Sequence, residues 1–132
     1  MTAHAEGTFT VKAWDEHPYA EPGDGTKHTK ATMTFDFAGD IAGEGVSETV
    51  MYYRADGTAV YTGLQRMTGQ LAGRDGGFVL QADGEYAGGA ARTRWQVVDG
   101  SGSGALAGLS GSGLAVAATG PGGTFTFDYE LG

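Results

Sequence analysis

The chain contains no cysteine, which excludes a disulfide framework, a thiolate metal site and a cysteine nucleophile. Its three histidines, His4, His17 and His28, fall in the first quarter of the sequence without the close pairing that a metal site uses, so no metal is expected. Positive charge is scarce: 8 Lys and Arg stand against 16 Asp and Glu, a formal net charge of −8. No basic cluster longer than the scattered Arg92 and Arg94 offsets these carboxylates. Phosphate backbones and anionic headgroups are repelled by such a surface, so neither nucleic acid nor a membrane is an expected partner. No apolar run approaches the ~18 residues of a membrane-spanning helix. The opening Met1-Thr2-Ala3-His4-Ala5-Glu6 lacks the basic and apolar regions of a signal peptide. The expectation is one soluble, cytoplasmic domain covering residues 1–132.

Several chemical signatures are also missing. No Gly-Lys-Ser/Thr run offers a P-loop, and no serine has glycine two residues away on both sides, as a nucleophile elbow needs. Gly100-Ser101-Gly102-Ser103-Gly104-Ala105 fits a loose dinucleotide pattern, but that pattern works by opening a helix. Gly108, Gly111 and Gly113 oppose any helix there, and no cofactor is expected.

Glycine is what the chain has in excess, at 25 of 132 residues, against a usual ~7%. The glycines separate short apolar runs that alternate with period two, the signature of half-buried strands. Phe9, Val11 and Ala13 form one such row; Ala31, Met33, Phe35 and Phe37 form a second. Further strands are predicted at Val46–Arg54, Thr58–Met67, Gly77–Tyr86, Ala90–Val98, Leu114–Thr119 and Thr124–Leu131. Ala55-Asp56-Gly57 and Gly88-Gly89 supply the positive φ angles of tight hairpins. Asp83-Gly84 is expected to mark a bulge, and His17–Lys27, with two prolines, a long rim or lid loop. The glycine-dense stretch from Gly100 to Gly113 reads as part of the same domain, because the two strands beyond it are too few to stand alone. About eight antiparallel strands without a covering helix form a sandwich or a closed barrel. The glycine content suits strongly bent strands at small radius, so the expected fold is all-β, a closed antiparallel barrel.

The segments Gly7-Thr8-Phe9-Thr10-Val11, Gly39-Asp40-Ile41-Ala42-Gly43-Glu44-Gly45, Gly73-Arg74-Asp75-Gly76-Gly77-Phe78 and Gly100–Gly113 resemble a bacterial domain-of-unknown-function family. That family is similar in fold to allene oxide cyclase, an eight-stranded barrel of calycin-like shape. The glycine-rich run looks like the Gly-Thr-Gly segment of allene oxide cyclases and dirigent proteins. Other barrels of this shape include cofactor-free cyclases, such as spirotetronate cyclases. The resemblance therefore implies a pocket and an intramolecular ring closure or isomerisation; it carries over no catalytic residue.

Strand parity supplies the candidate residues. If the more apolar face of the third strand, Val46, Glu48, Val50 and Tyr52, turns inward, Glu48 is a desolvated carboxylate suited to acid or base work. If Ser47, Thr49, Met51 and Tyr53 turn inward instead, Glu48 lies in solvent and pairs with Arg66 or Arg94. On the fourth strand, Tyr61, Gln65 and Met67 oppose Val60, Thr62, Leu64 and Arg66. An inward Tyr61 or Gln65 would polarise a carbonyl; an inward Arg66 would select a carboxylate or enolate. Trp95 is expected inside as core or as a flat wall, and Tyr129 shares a face with Phe125 and Phe127. The candidate catalytic residues are thus Glu48 and Tyr61, and the candidate ligand-binding residues Phe35, Tyr52, Gln65, Arg66, Trp95 and Tyr129. The expected partner is a small apolar, partly oxygenated molecule. It would be bound by a cyclase or isomerase, by a non-catalytic carrier, or not at all if aromatics fill the barrel. Apolar residues on both faces of the third strand point to a homo-oligomer.

Overall fold

A computed structural model describes residues 2–118 and 122–131. Its strands are β1 (Ala3–Ala20), β2 (Lys27–Gly39), β3 (Ile41–Tyr53), β4 (Ala59–Leu71), β5 (Arg74–Ala87), β6 (Ala90–Val97), β7 (Ser103–Gly104), β8 (Leu109–Ala117) and β9 (Gly122–Leu131). No helix occurs among the described residues. The sheet runs β4-β3-β2-β1-β9-β8-β6-β5, and a further pairing of β4 with β5 closes it into an eight-stranded antiparallel barrel. The two-residue β7 is attached to β5 alone. Closure leaves no long unpaired edge around the barrel waist, which is how an all-β chain without covering helices satisfies its backbone groups.

The hairpins follow local backbone preference. Ala87 pairs with Ala90 around Gly88 and Gly89, whose φ angles of 62° and 78° suit a two-residue turn. Leu71 pairs with Arg74 around Ala72 and Gly73, and here alanine itself adopts a φ of 50°. At the β3–β4 turn the Asp56 carboxylate accepts hydrogen bonds from the Thr58 amide and hydroxyl, at 2.9 and 2.7 Å.

Two local expectations are corrected. The register of β5 runs without interruption through Asp83 and Gly84 on both sides, so there is no bulge at that pair. Gly84 is required for another reason: a Cβ there would lie 2.6 Å from two atoms of the Tyr61 ring and 2.5 Å from the Arg92 carbonyl oxygen. The irregularities fall instead on β1, between Val11 and Ala13 and between Pro18 and Ala20. The predicted loop His17–Lys27 is shorter than expected, because β1 continues to Ala20 through Pro18 and only residues 21–26 connect it to β2. The predicted strand Leu114–Thr119 begins earlier, at Leu109, while Thr119 lies outside the described residues.

Packing divides the barrel into two halves. At one end Phe125, Phe127, Met67, Leu71, Leu80 and Leu106 are almost fully buried. Phe127 stacks between Phe78 and Tyr129, with ring centroids 6.0 and 5.6 Å away. The glycine-dense segment closes this end: Ala105 donates to the Asp75 carbonyl, Leu106 to Ser103, and the Leu106 side chain plugs the opening. The other end, beneath the hairpin turns at 54–58 and 88–89, is hollow.

Candidate functional site

The hollow half encloses a cavity of about 310 Å³. Phe37 and Trp95, which also belong to the filled half, form its floor. Phe9, Val11, Met33, Phe35 and Met51 make one wall; Ala59, Ala91, Ala115 and Ala117 make the other. Trp14, 51% exposed, and Tyr86, 44% exposed, stand at the mouth. Few lining residues carry polar side-chain atoms, namely Tyr53, Tyr61, Gln65, Thr93 and Trp14, and no charged side chain lines the cavity among the described residues.

The Tyr61 and Thr93 hydroxyls are 2.7 Å apart. Tyr61 pairs with Gly84 across β4–β5, and Gly84 pairs with Thr93 across β5–β6, so the tyrosine ring lies over the bare glycine to reach the threonine. Burial raises the Tyr61 pKa despite this bond, keeping the phenol protonated and able to donate. Gln65 is buried deeper on the same strand, and its amide nitrogen donates to the Met67 sulfur at 3.2 Å. A thioether is a weak acceptor, so this amide holds a modest partner beside an apolar chamber.

A second polar cluster borders the mouth. The Glu16 carboxylate accepts hydrogen bonds from Trp14 Nε1 at 2.9 Å, the Thr29 hydroxyl at 2.6 Å and the Tyr53 hydroxyl at 2.5 Å. Burial pushes the Glu16 pKa up, but the three donors and the charge of Lys27 outweigh it, and the net shift is downward. Tyr53 is pushed up to about 12, by burial and then by the bond to Glu16. Lys27 stands over the Tyr53 ring, 4.7 Å from its centroid.

The candidate residues fall on both sides of the barrel wall. Tyr61, Phe35, Gln65 and Trp95 all line the cavity. Glu48 does not: Ser47, Thr49 and Met51 are buried, and Glu48 is exposed, accepting hydrogen bonds from Thr32 at 3.1 and 2.9 Å. On the inward row of β3, Thr49 stands across from Gly63, where a Cβ on the glycine would meet the Thr49 hydroxyl at 2.9 Å. The same parity puts Tyr52 outside, against His28 at 4.9 Å, and not in the cavity. Arg66 is likewise exposed on the outer face of β4. Tyr129 is buried in the filled half and does not reach the cavity. Sequence reasoning missed Glu16, Trp14, Tyr53 and Thr93. The irregularity after Val11 inverts the parity of β1, turning Ala13 outward and Trp14 and Glu16 toward the mouth, and no turn residue in the sequence marks it.

The fold and site define a class: a closed antiparallel β-barrel with one end packed by aromatics and the other hollow, apolar and open. The chain belongs to the family described as "Protein of unknown function (DUF3224)", whose model matches residues 5–129. It is similar to the crystal structure of a protein with unknown function from that family, from Shewanella oneidensis MR-1. That likeness has a TM-score of 0.81 at 25% identity over 100% of this chain and 99% of that one. No curated protein matches the sequence.

Proposed function

We propose that the barrel binds one small, largely apolar molecule in its hollow half. The observation that carries this reading is the cavity of about 310 Å³, whose walls are aromatic, methionine and alanine side chains with a few placed hydroxyl and amide groups. Small-molecule sites begin near this size, at ~300–1,000 Å³, and share this composition. The resemblance to pocket-bearing barrels of the allene oxide cyclase type supports the same reading.

The test is a titration with an environment-sensitive apolar dye, on the wild-type protein and on Ala115→Phe. Ala115 lines the cavity, so a phenyl ring at that position fills it. Saturable one-site binding that Ala115→Phe abolishes, with the β-sheet circular dichroism retained, is the expected outcome. Absence of saturable binding, or binding indifferent to the substitution, refutes the proposal.

The Tyr61–Thr93 hydroxyl pair favours a second reading, catalysis of a cofactor-free cyclisation or isomerisation in the same cavity. The protein would hold a flexible substrate folded, a contribution of up to ~7–11 kcal/mol in favourable systems, while the hydroxyls polarise one oxygen. A carrier returns its ligand unchanged; an enzyme of this kind returns an isomer of equal mass and different chromatographic retention.

A further inference from the structure

We infer that the cavity selects uncharged ligands bearing a hydroxyl or carbonyl oxygen and rejects carboxylates of the same skeleton, an inference that rests on the binding reading above. The hydroxyls of Tyr61 and Thr93 are 2.7 Å apart in a part-buried position on the cavity wall. One of them donates to the other, so the pair keeps one free O–H and unfilled lone pairs for a ligand. Gly84 holds this arrangement ready by leaving space for the Tyr61 ring. Such a pair meets the needs of one neutral oxygen, which both donates and accepts or accepts alone.

A carboxylate finds no counter-charge. No cationic side chain lines the cavity among the described residues, and Arg66 faces outward from β4. Arg94 and Glu85 lie near Tyr61 but act on it with opposite sign. At the mouth, the ammonium of Lys27 is already over the Tyr53 ring and acts on the Glu16 carboxylate, so the rim offers an anion no net attraction. The whole chain, at −8, adds repulsion. A carboxylate entering such a chamber loses its hydration without a charged partner, whereas an alcohol recovers its hydrogen bonds.

The experiment is calorimetric titration near neutral pH with two probes of one carbon skeleton, β-naphthylethanol and β-naphthylacetate, on wild type and on Tyr61→Phe/Thr93→Val. The expected result is that the alcohol binds at least about tenfold more tightly than the acetate, and that the double substitution weakens the alcohol by about tenfold. Equal affinities, or a preference for the acetate, overturn the inference while leaving the binding reading intact. Binding of neither probe defeats both. A preference for the alcohol that survives the double substitution overturns the assignment to the hydroxyl pair. If the double variant does not fold, the two wild-type affinities alone still decide whether neutral ligands are selected.

Discussion

Replacing Glu16 tests the account of the cavity mouth more sharply than any other single change. Three donors converge on its carboxylate, and one of them, the Thr29 hydroxyl, belongs to a residue only 1% exposed. In Glu16→Ala that hydroxyl loses its acceptor where water has little access, a cost of about 1–3 kcal/mol. Trp14 is half exposed and Tyr53 partly so, and both regain water, so each adds no more than about 1 kcal/mol. The expected total is about 2–3 kcal/mol. Glu16→Gln keeps one acceptor oxygen, which best serves Thr29 and Tyr53 together because both bond the same carboxylate oxygen, Oε2. It gives up the Trp14 bond and the charge, for about 1 kcal/mol. Adding Thr29→Val to Glu16→Ala removes the stranded hydroxyl and should restore part of the loss.

Urea unfolding of the four proteins, followed by tryptophan fluorescence and circular dichroism, measures these differences. Their pH dependence carries a definite sign. The folded pKa of Glu16 is lowered from an ordinary value of 4.5, so the carboxylate contributes fully above the unfolded value and its contribution fades as pH falls through the folded one. The gap between wild type and Glu16→Gln should therefore be constant near neutrality and close in acid. A Glu16→Ala variant within about 0.5 kcal/mol of wild type, or a gap that does not change with pH, refutes the network as described.

Three further outcomes are expected. Leu106→Ala opens the plug of the filled end and should cost about 2–5 kcal/mol, read as a lower urea midpoint at unchanged slope; a loss under about 1 kcal/mol contradicts the plug. Ala72→Gly relieves the left-handed φ of 50° and should raise stability by about 0.5–1 kcal/mol, as a higher melting temperature. Val50, 42% exposed, and Leu64, 55% exposed, are diagonal neighbours on the outer faces of β3 and β4. Self-association through that face predicts a light-scattering mass above 13.5 kDa that Leu64→Glu returns to the monomer value, and a monomeric wild type refutes it.

The fold was legible because it rests on features that period-two patterning and turn chemistry expose directly. Alternation marked the strands, Asp56-Gly57 and Gly88-Gly89 marked two hairpins, and the isolation of the last strands kept the glycine-dense segment within the barrel. The site was half legible. Parity marks Phe35 and Trp95 as inward, whereas on β4 the sequence offers Tyr61 and Gln65 against Arg66 and does not choose between the two rows. On β3 apolarity alone favours the row of Val46, Glu48, Val50 and Tyr52, yet Glu48 and Tyr52 lie on the outer face. The inward row of β3 is Ser47, Thr49, Met51 and Tyr53, with Ser47 across from Gln65 and Thr49 across from Gly63, so the less apolar row is the one that turns inside. Glu16 was hidden by a one-residue irregularity in β1, which inverts the side chains from Ala13 as far as the second irregularity after Pro18 and leaves no mark in residue type.

Why one half of the barrel is hollow follows from how side-chain size is distributed around it. At the filled end, Phe125 and Phe127 on β9 face Phe78 and Leu80 on β5, and Leu106 caps them, so the cross-section is occupied from all sides. At the open end most of the large residues are on β1 to β3, as Phe9, Trp14, Met33, Phe35, Met51 and Tyr53, with Tyr61 on β4 and Tyr86 on β5 beside them. The facing wall, β6 and β8, contributes Ala91, Thr93, Ala115 and Ala117, and Gly84 on β5 leaves room for the Tyr61 ring. Eight-stranded barrels have interiors just wide enough to be filled by side chains or to hold one ligand, and a wall of alanine opposite a wall of aromatics cannot fill its share. Collapse is opposed by the hydrogen-bonded ring of strands, which fixes the radius whatever the side chains are. The void is thus a consequence of closure combined with small residues on one arc. The same reasoning sets part of its chemistry, since Tyr61 has room to lie against Gly84 and reach Thr93.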